Sequence, residues 1–283
     1  MQEFRKRWLS LGVALASSLG SQAIADQQAA AVSEPLSDAT VKLAARGEGE
    51  GALGEGEGEG EGEGEGASRS VDLKTHDPAY LARLGQIRGH LLAGYSLYQE
   101  GRTEMAASHM KHPRDEIYAG LKPALKHRGA KPFGEALSTL AGAVNNGADQ
   151  ETVDQAYEEL QRALDAAEAV AEPSLKDTLM GVTRLLRTAG EEYAVGVQDG
   201  KVAEVHEYQD AWGFTQIARR RLDNIDSELR KQAEQTVARA QSRLAELDPL
   251  WPALVPGDKV EGDAARLFGT AARIEISALE LDE

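Results

Sequence analysis

The segment His109-Met110-Lys111-His112-Pro113-Arg114-Asp115-Glu116 places two imidazoles and two carboxylates within eight residues. The whole chain has only six histidines. Histidine is the commonest side-chain metal ligand and carboxylates are its usual partners, so the chemistry to expect first is metal binding. No cysteine is present, which excludes thiolate sites, disulfides and c-type haem attachment. An i, i+3 pair such as His109 and His112 shares a helix face, but Pro113 predicts that a helix starts there after a break.

Further candidate ligands lie at a distance in sequence. His90 sits beside the apolar stripe of Ile87 and Leu91, and His206 and Asp210 are one helical turn apart. The expected ligand set is His90, His109, His112, Glu116, His206 and Asp210, taking iron or copper. Each member also has a plain structural reading. His90 fits a half-buried position on an apolar face, His112 fits an N-cap before Pro113, and His206 with Asp210 fits a hydrogen-bonded surface pair. His76, at the border of the acidic tract, and His127, in a basic stretch, are left out.

The elements that must position these residues are helical. From Thr75 onward the chain is rich in Ala, Leu, Glu, Gln and Arg, with Pro and Gly between periodic segments, an all-α signature. The pattern predicts a helix from Asp77 to Gly101 and a shorter one from Thr103 that breaks at His112-Pro113 and resumes through Leu125. Others follow from Pro132 to Asn145, from Asp149 to Ala171 and from Leu175 to the break at Asp199-Gly200. The next starts near Val202 and runs to Leu247, with Gly213 as a possible kink, and the last spans Ala264 to Leu281. An internal echo joins these elements: Gln99-Glu100-Gly101 precedes the His109 segment as Gln198-Asp199-Gly200 precedes His206. The expected fold is a helical bundle built from two antiparallel hairpins that face their histidines toward each other, because bundle cores assemble metal sites from facing helices.

Before the bundle the sequence changes character. Residues 1–25 carry Arg5, Lys6 and Arg7, an apolar run from Leu9 to Leu19, and Ala23-Ile24-Ala25, the three parts of a cleavable export signal. The apolar run is shorter than the roughly 18–20 residues of a membrane span, so the mature protein is expected in the periplasm without one. Residues 26–74 form an acidic tail whose Gly47–Gly66 portion is nearly pure Gly-Glu alternation with eight glutamates. Like charges and the lack of apolar side chains predict a disordered linker there. The bundle then occupies residues 75–283.

The formal charge is −16, and loss of the signal, three positive charges and one negative, takes it to −18. Such a surface argues against nucleic acid as a partner and suits cations. Enzyme motifs are missing: there is no Gly-x-Ser-x-Gly, phosphate loop, dinucleotide fingerprint or His-Glu-x-x-His, and the Glu-x-x-His pairs of di-iron bundles are absent. A binding role is therefore favoured over catalysis.

The stretch from Glu192 and Tyr193 through Asp199-Gly200 to His206, Glu207-Tyr208 and Phe214 resembles the periplasmic helical region of bacterial high-affinity iron permeases. There too a Tyr-containing helix ends at an acid-Gly turn and the next carries a Glu-Tyr pair. More loosely the chain is similar to imelysin-like iron-uptake proteins, although their His-x-x-Glu is replaced here by His112-x-x-x-Glu116. These resemblances imply iron uptake or storage beside an inner-membrane transporter and assign no ligand. Two other readings stand beside this one: a metal-free helical adaptor that docks a transporter or envelope partner, and an imelysin-like metallo-hydrolase.

Overall fold

The computed structural model describes residues 71–281 except 258 and 261. The export signal and the Gly-Glu tract lie outside the described residues. Helices dominate: α1 (Asp77–Gln99), α2 (Thr103–His112), α3 (Tyr118–Arg128), α4 (Gly134–Asn145), α5 (Gln150–Ala169), α6 (Leu175–Gly196), α7 (Val205–Asp223), α8 (Ser227–Gln232), α9 (Glu234–Ala245) and α10 (Ala264–Leu279). No described helix is long and apolar enough to cross a membrane.

Their packing makes two apolar clusters. One is filled by α1 to α5, from Tyr80 and Leu84 to Leu160 and Leu164, and the other by α6 to α10, from Leu179 and Leu185 to Leu267 and Ile274. The chain interleaves them where they meet. Leu92 of α1 belongs to the second cluster, Leu254 to the first, and Trp212 packs against both. Helix α1 is enclosed by α2, α5, α6 and α7. Its sequence explains this, since Tyr80, Leu84, Ile87 and Leu91 share the helix with small residues such as Ala82, Gly85, Gly89 and Ala93 that admit neighbours on other faces.

The closest of these approaches joins α1 to α7. A Cβ placed on Gly213 would lie 2.4 Å from the Gly89 carbonyl oxygen, and one on Gly89 would meet the Phe214 ring at 2.3 Å. Gly213 therefore marks backbone contact, and α7 runs unbroken through it instead of kinking. The helix stops at Asp223, short of the expected Leu247, because Asp226 accepts from the Glu228 and Leu229 amides and starts α8.

Two other boundaries differ from the sequence pattern. No break separates α2 from α3: His112 (φ −48°, ψ −51°) and Pro113 (φ −56°, ψ −38°) are helical, and residues Pro113–Ile117 form a π-helical turn closed by the Tyr118 amide on the Pro113 carbonyl. Proline cannot donate to the preceding turn, and the wider turn absorbs that loss while Met110 and Ile117 stay buried. The echo between the hairpins is chemical only. Gly101 (φ 75°) closes α1 as a left-handed cap, with the Arg102 amide on the Leu97 carbonyl. Asp199 (φ 53°) and Gly200 (φ 70°) instead turn a two-residue hairpin, β1 (Val197–Gln198) against β2 (Lys201–Val202).

Candidate metal centre

At the junction of the two clusters, α1, α2 and α7 bring four histidines around one carboxylate. Asp210 on α7 is 1% exposed, and its Oδ1 lies 2.6 Å from His90 Nδ1 of α1 and 2.9 Å from His109 Nδ1 of α2. The Gly89–Gly213 contact sets this geometry, since it adjoins His90 on one helix and lies a turn from Asp210 on the other. Around that core, the His112 ring meets His90 edge-on at 5.5 Å and the His206 ring lies 5.4 Å from His109. Phe214 closes the apolar side of His90 at 5.0 Å.

Hydrogen-bond roles divide the histidines. His109 Nε2 is 2.8 Å from Gln209 Oε1, and the Gln209 amide nitrogen donates to the Leu254 carbonyl, which fixes which end of that amide faces the ring. Both His109 nitrogens therefore face oxygens that only accept, an arrangement that favours the ring with a hydrogen on each nitrogen. Burial opposes that charge, but the Asp210 bond and charge, with Gln209, outweigh it and raise the His109 pKa. Burial likewise works against the Asp210 charge, and the two histidines overcome it and hold the carboxyl below its ordinary range. His90 reaches the same oxygen through Nδ1, so Asp210 Oδ1 is shared by two rings.

The donor atoms of His90, His112 and Asp210 lie within 4.8 Å of one another, the candidate cation site among the described residues. Two ligands on one ion span at most about 4 Å, twice a metal–nitrogen distance of about 2 Å. The three donors must draw closer than that limit to share an ion, and His112 is the most exposed of them. Two imidazoles and a carboxylate match the donor set that holds non-haem ferrous iron with coordination positions open. The remaining expected ligands border this group. Glu116 Oε1 is 3.7 Å from His112 Nε2 at the rim, His109 bonds Asp210 and Gln209, and His206 faces His109. Burial and the neighbouring His109 charge lower the His206 pKa.

A pair that the sequence did not single out completes the site. Glu192 of α6 and Glu207 of α7 share a hydrogen bond. Burial, that bond and the charges of Glu207, Asp210 and Glu191 push Glu192 up to about 8. Both residues stood in the quoted resemblance, but only the α6–α7 contact makes them partners. A carboxyl whose pKa folding raises binds its proton more tightly in the folded chain. Its contribution to stability is therefore present below the ordinary value of 4.5 and is lost as pH rises through about 8. Glu192→Gln is expected to raise Tm relative to the parent at pH 8.5 and to leave it nearly unchanged at pH 4.5, as read by circular dichroism melts across that range. An equal change at both pH values would contradict the shared proton.

Comparison with known proteins finds the iron permease-associated 4-helix bundle domain matching residues 171–278. No curated protein and no solved structure matches the chain. The match confirms the resemblance to the helical region of iron permeases for the stretch that contains α6 to α10. It thus covers Glu192, His206, Glu207, Gln209 and Asp210, while His90, His109, His112 and Glu116 come from the helices before it.

Proposed function

We propose that this protein binds a transition metal ion, iron before copper, at His90, His112 and Asp210, and serves uptake or storage in the periplasm. The observation that carries the reading is the convergence of those three donors from α1, the end of α2 and α7 within 4.8 Å. The iron permease-associated match on residues 171–278 supports iron as the cargo and a transporter as the neighbour. The acidic balance of the chain favours attraction of cations. The apolar run of residues 9–19 supports export, and the periplasm is the compartment in which such a protein would meet a permease.

Calorimetric titration of the purified chain with Fe(II), Cu(II) and Zn(II) tests the proposal. Binding is expected to raise Tm, because a ligand held only by the folded state stabilises it by about 2.7 kcal/mol at a hundred times Kd. His112→Ala removes a half-exposed ligand with little effect on the fold, and it should weaken binding at least tenfold. Absence of heat with all three metals would overturn the metal-binding reading.

The adaptor reading has one observation of its own. Phe268, Ile276 and Leu279 leave an exposed apolar line along α10, a face suited to an apolar helix of a membrane-embedded partner. A chain that takes no metal in the titration would carry that reading instead.

A further inference from the structure

We infer that the cation is captured first by Glu116 and His112 and then passed inward to His90 and Asp210. The inference rests on the metal-binding reading above and adds a direction and a further residue to it.

Exposure falls steadily along this line. The Glu116 side chain is 60% exposed, His112 36%, His90 10% and Asp210 2%. The π-helical turn Pro113–Ile117 presents Glu116 beside His112, one helical step away and 3.7 Å apart. The adjacent cation Arg114 is paired with Asp115 at 2.7 Å. A carboxylate at the rim attracts a hydrated cation and can share it briefly with His112. His112 belongs both to the rim pair and to the inner group, so an ion held there is already beside His90 and Asp210.

The test is stopped-flow mixing of the full chain with Co(II), a spectroscopic probe for an imidazole-carboxylate site, at low and at high ionic strength. Glu116→Gln is expected to lower the association rate constant about tenfold at low salt. A transient ligand lowers the barrier in both directions, so dissociation should slow in proportion and equilibrium affinity stay within about twofold. Glu104→Gln, the same charge change at an exposed position earlier on α2, should keep the parent rate. Three results would overturn the inference: an unchanged association rate in Glu116→Gln, loss of affinity through faster dissociation alone, or equal slowing by Glu104→Gln. Failure of the parent chain to bind Co(II) at all would instead remove the metal-binding reading itself.

Discussion

Asp210→Ala is expected to be among the most damaging single substitutions in the molecule, and to abolish metal binding as well. Asp210 is the acceptor for both His90 and His109, and all three residues are buried. Removing the carboxylate leaves the His109 ring, still bonded to Gln209, as a buried charge without its counterion. Breaking a buried ion pair by deleting one partner costs about 3–5 kcal/mol, far more than the pair contributes when intact. The loss is measured as a lower midpoint in urea denaturation, with the slope unchanged if the folded and unfolded states keep their compactness. Asp210→Asn separates the two roles, since an amide oxygen can still accept from both rings but brings no charge. It should recover part of the stability and none of the metal affinity. A fully stable Asp210→Ala chain would mean that the histidines are neutral and that the charged assignment of His109 is mistaken.

The second large effect is expected from a single methyl group added to the helix contact beside the site. Gly213→Ala places a Cβ 2.4 Å from the Gly89 carbonyl oxygen, and the obstacle is backbone, which cannot rotate away as a side chain can. Overpacking typically costs about 1–3 kcal/mol, and a clash between two main chains belongs at the upper end. Relief requires α1 and α7 to separate, which also draws His90 away from Asp210. The variant should therefore lose about 3 kcal/mol in denaturant melts and lose metal binding together with it. Gly142→Ala, where a Cβ meets nothing within 4 Å, is the matching control and should be neutral or slightly stabilising. If Gly213→Ala bound metal like the parent, the helix contact would not be what sets the site.

These two cases show where sequence reasoning reached and where it stopped. Heptad-like spacing of Leu, Ile and Val, with Gly and Pro between segments, was sufficient to place most helices, because burial of one stripe is a local property of the chain. It misread Pro113 and Gly213, whose outcomes depend on neighbours. Pro113 reads as a stop signal, yet the burial of Met110 and Ile117 on either side holds the segment helical through a π turn. Gly213 reads as a weak point in a helix, yet its missing side chain is what lets α7 touch α1.

The same boundary runs through the site. Composition alone excluded thiolate chemistry and pointed to imidazole and carboxylate donors, and the six candidate ligands could be named from residue type. Which of them act together could not be read there, since His90, His112 and Asp210 are brought within 4.8 Å by packing between segments far apart in the chain. Nor could sequence show that both ring nitrogens of His109 face oxygens, one from Asp210 and one from Gln209, an ordinary residue until its amide is seen bonded to Leu254. Local side-chain chemistry is written in the sequence, whereas protonation state and shared coordination belong to groups only a few ångströms apart in space, and distances of that kind exist only once the helices are packed.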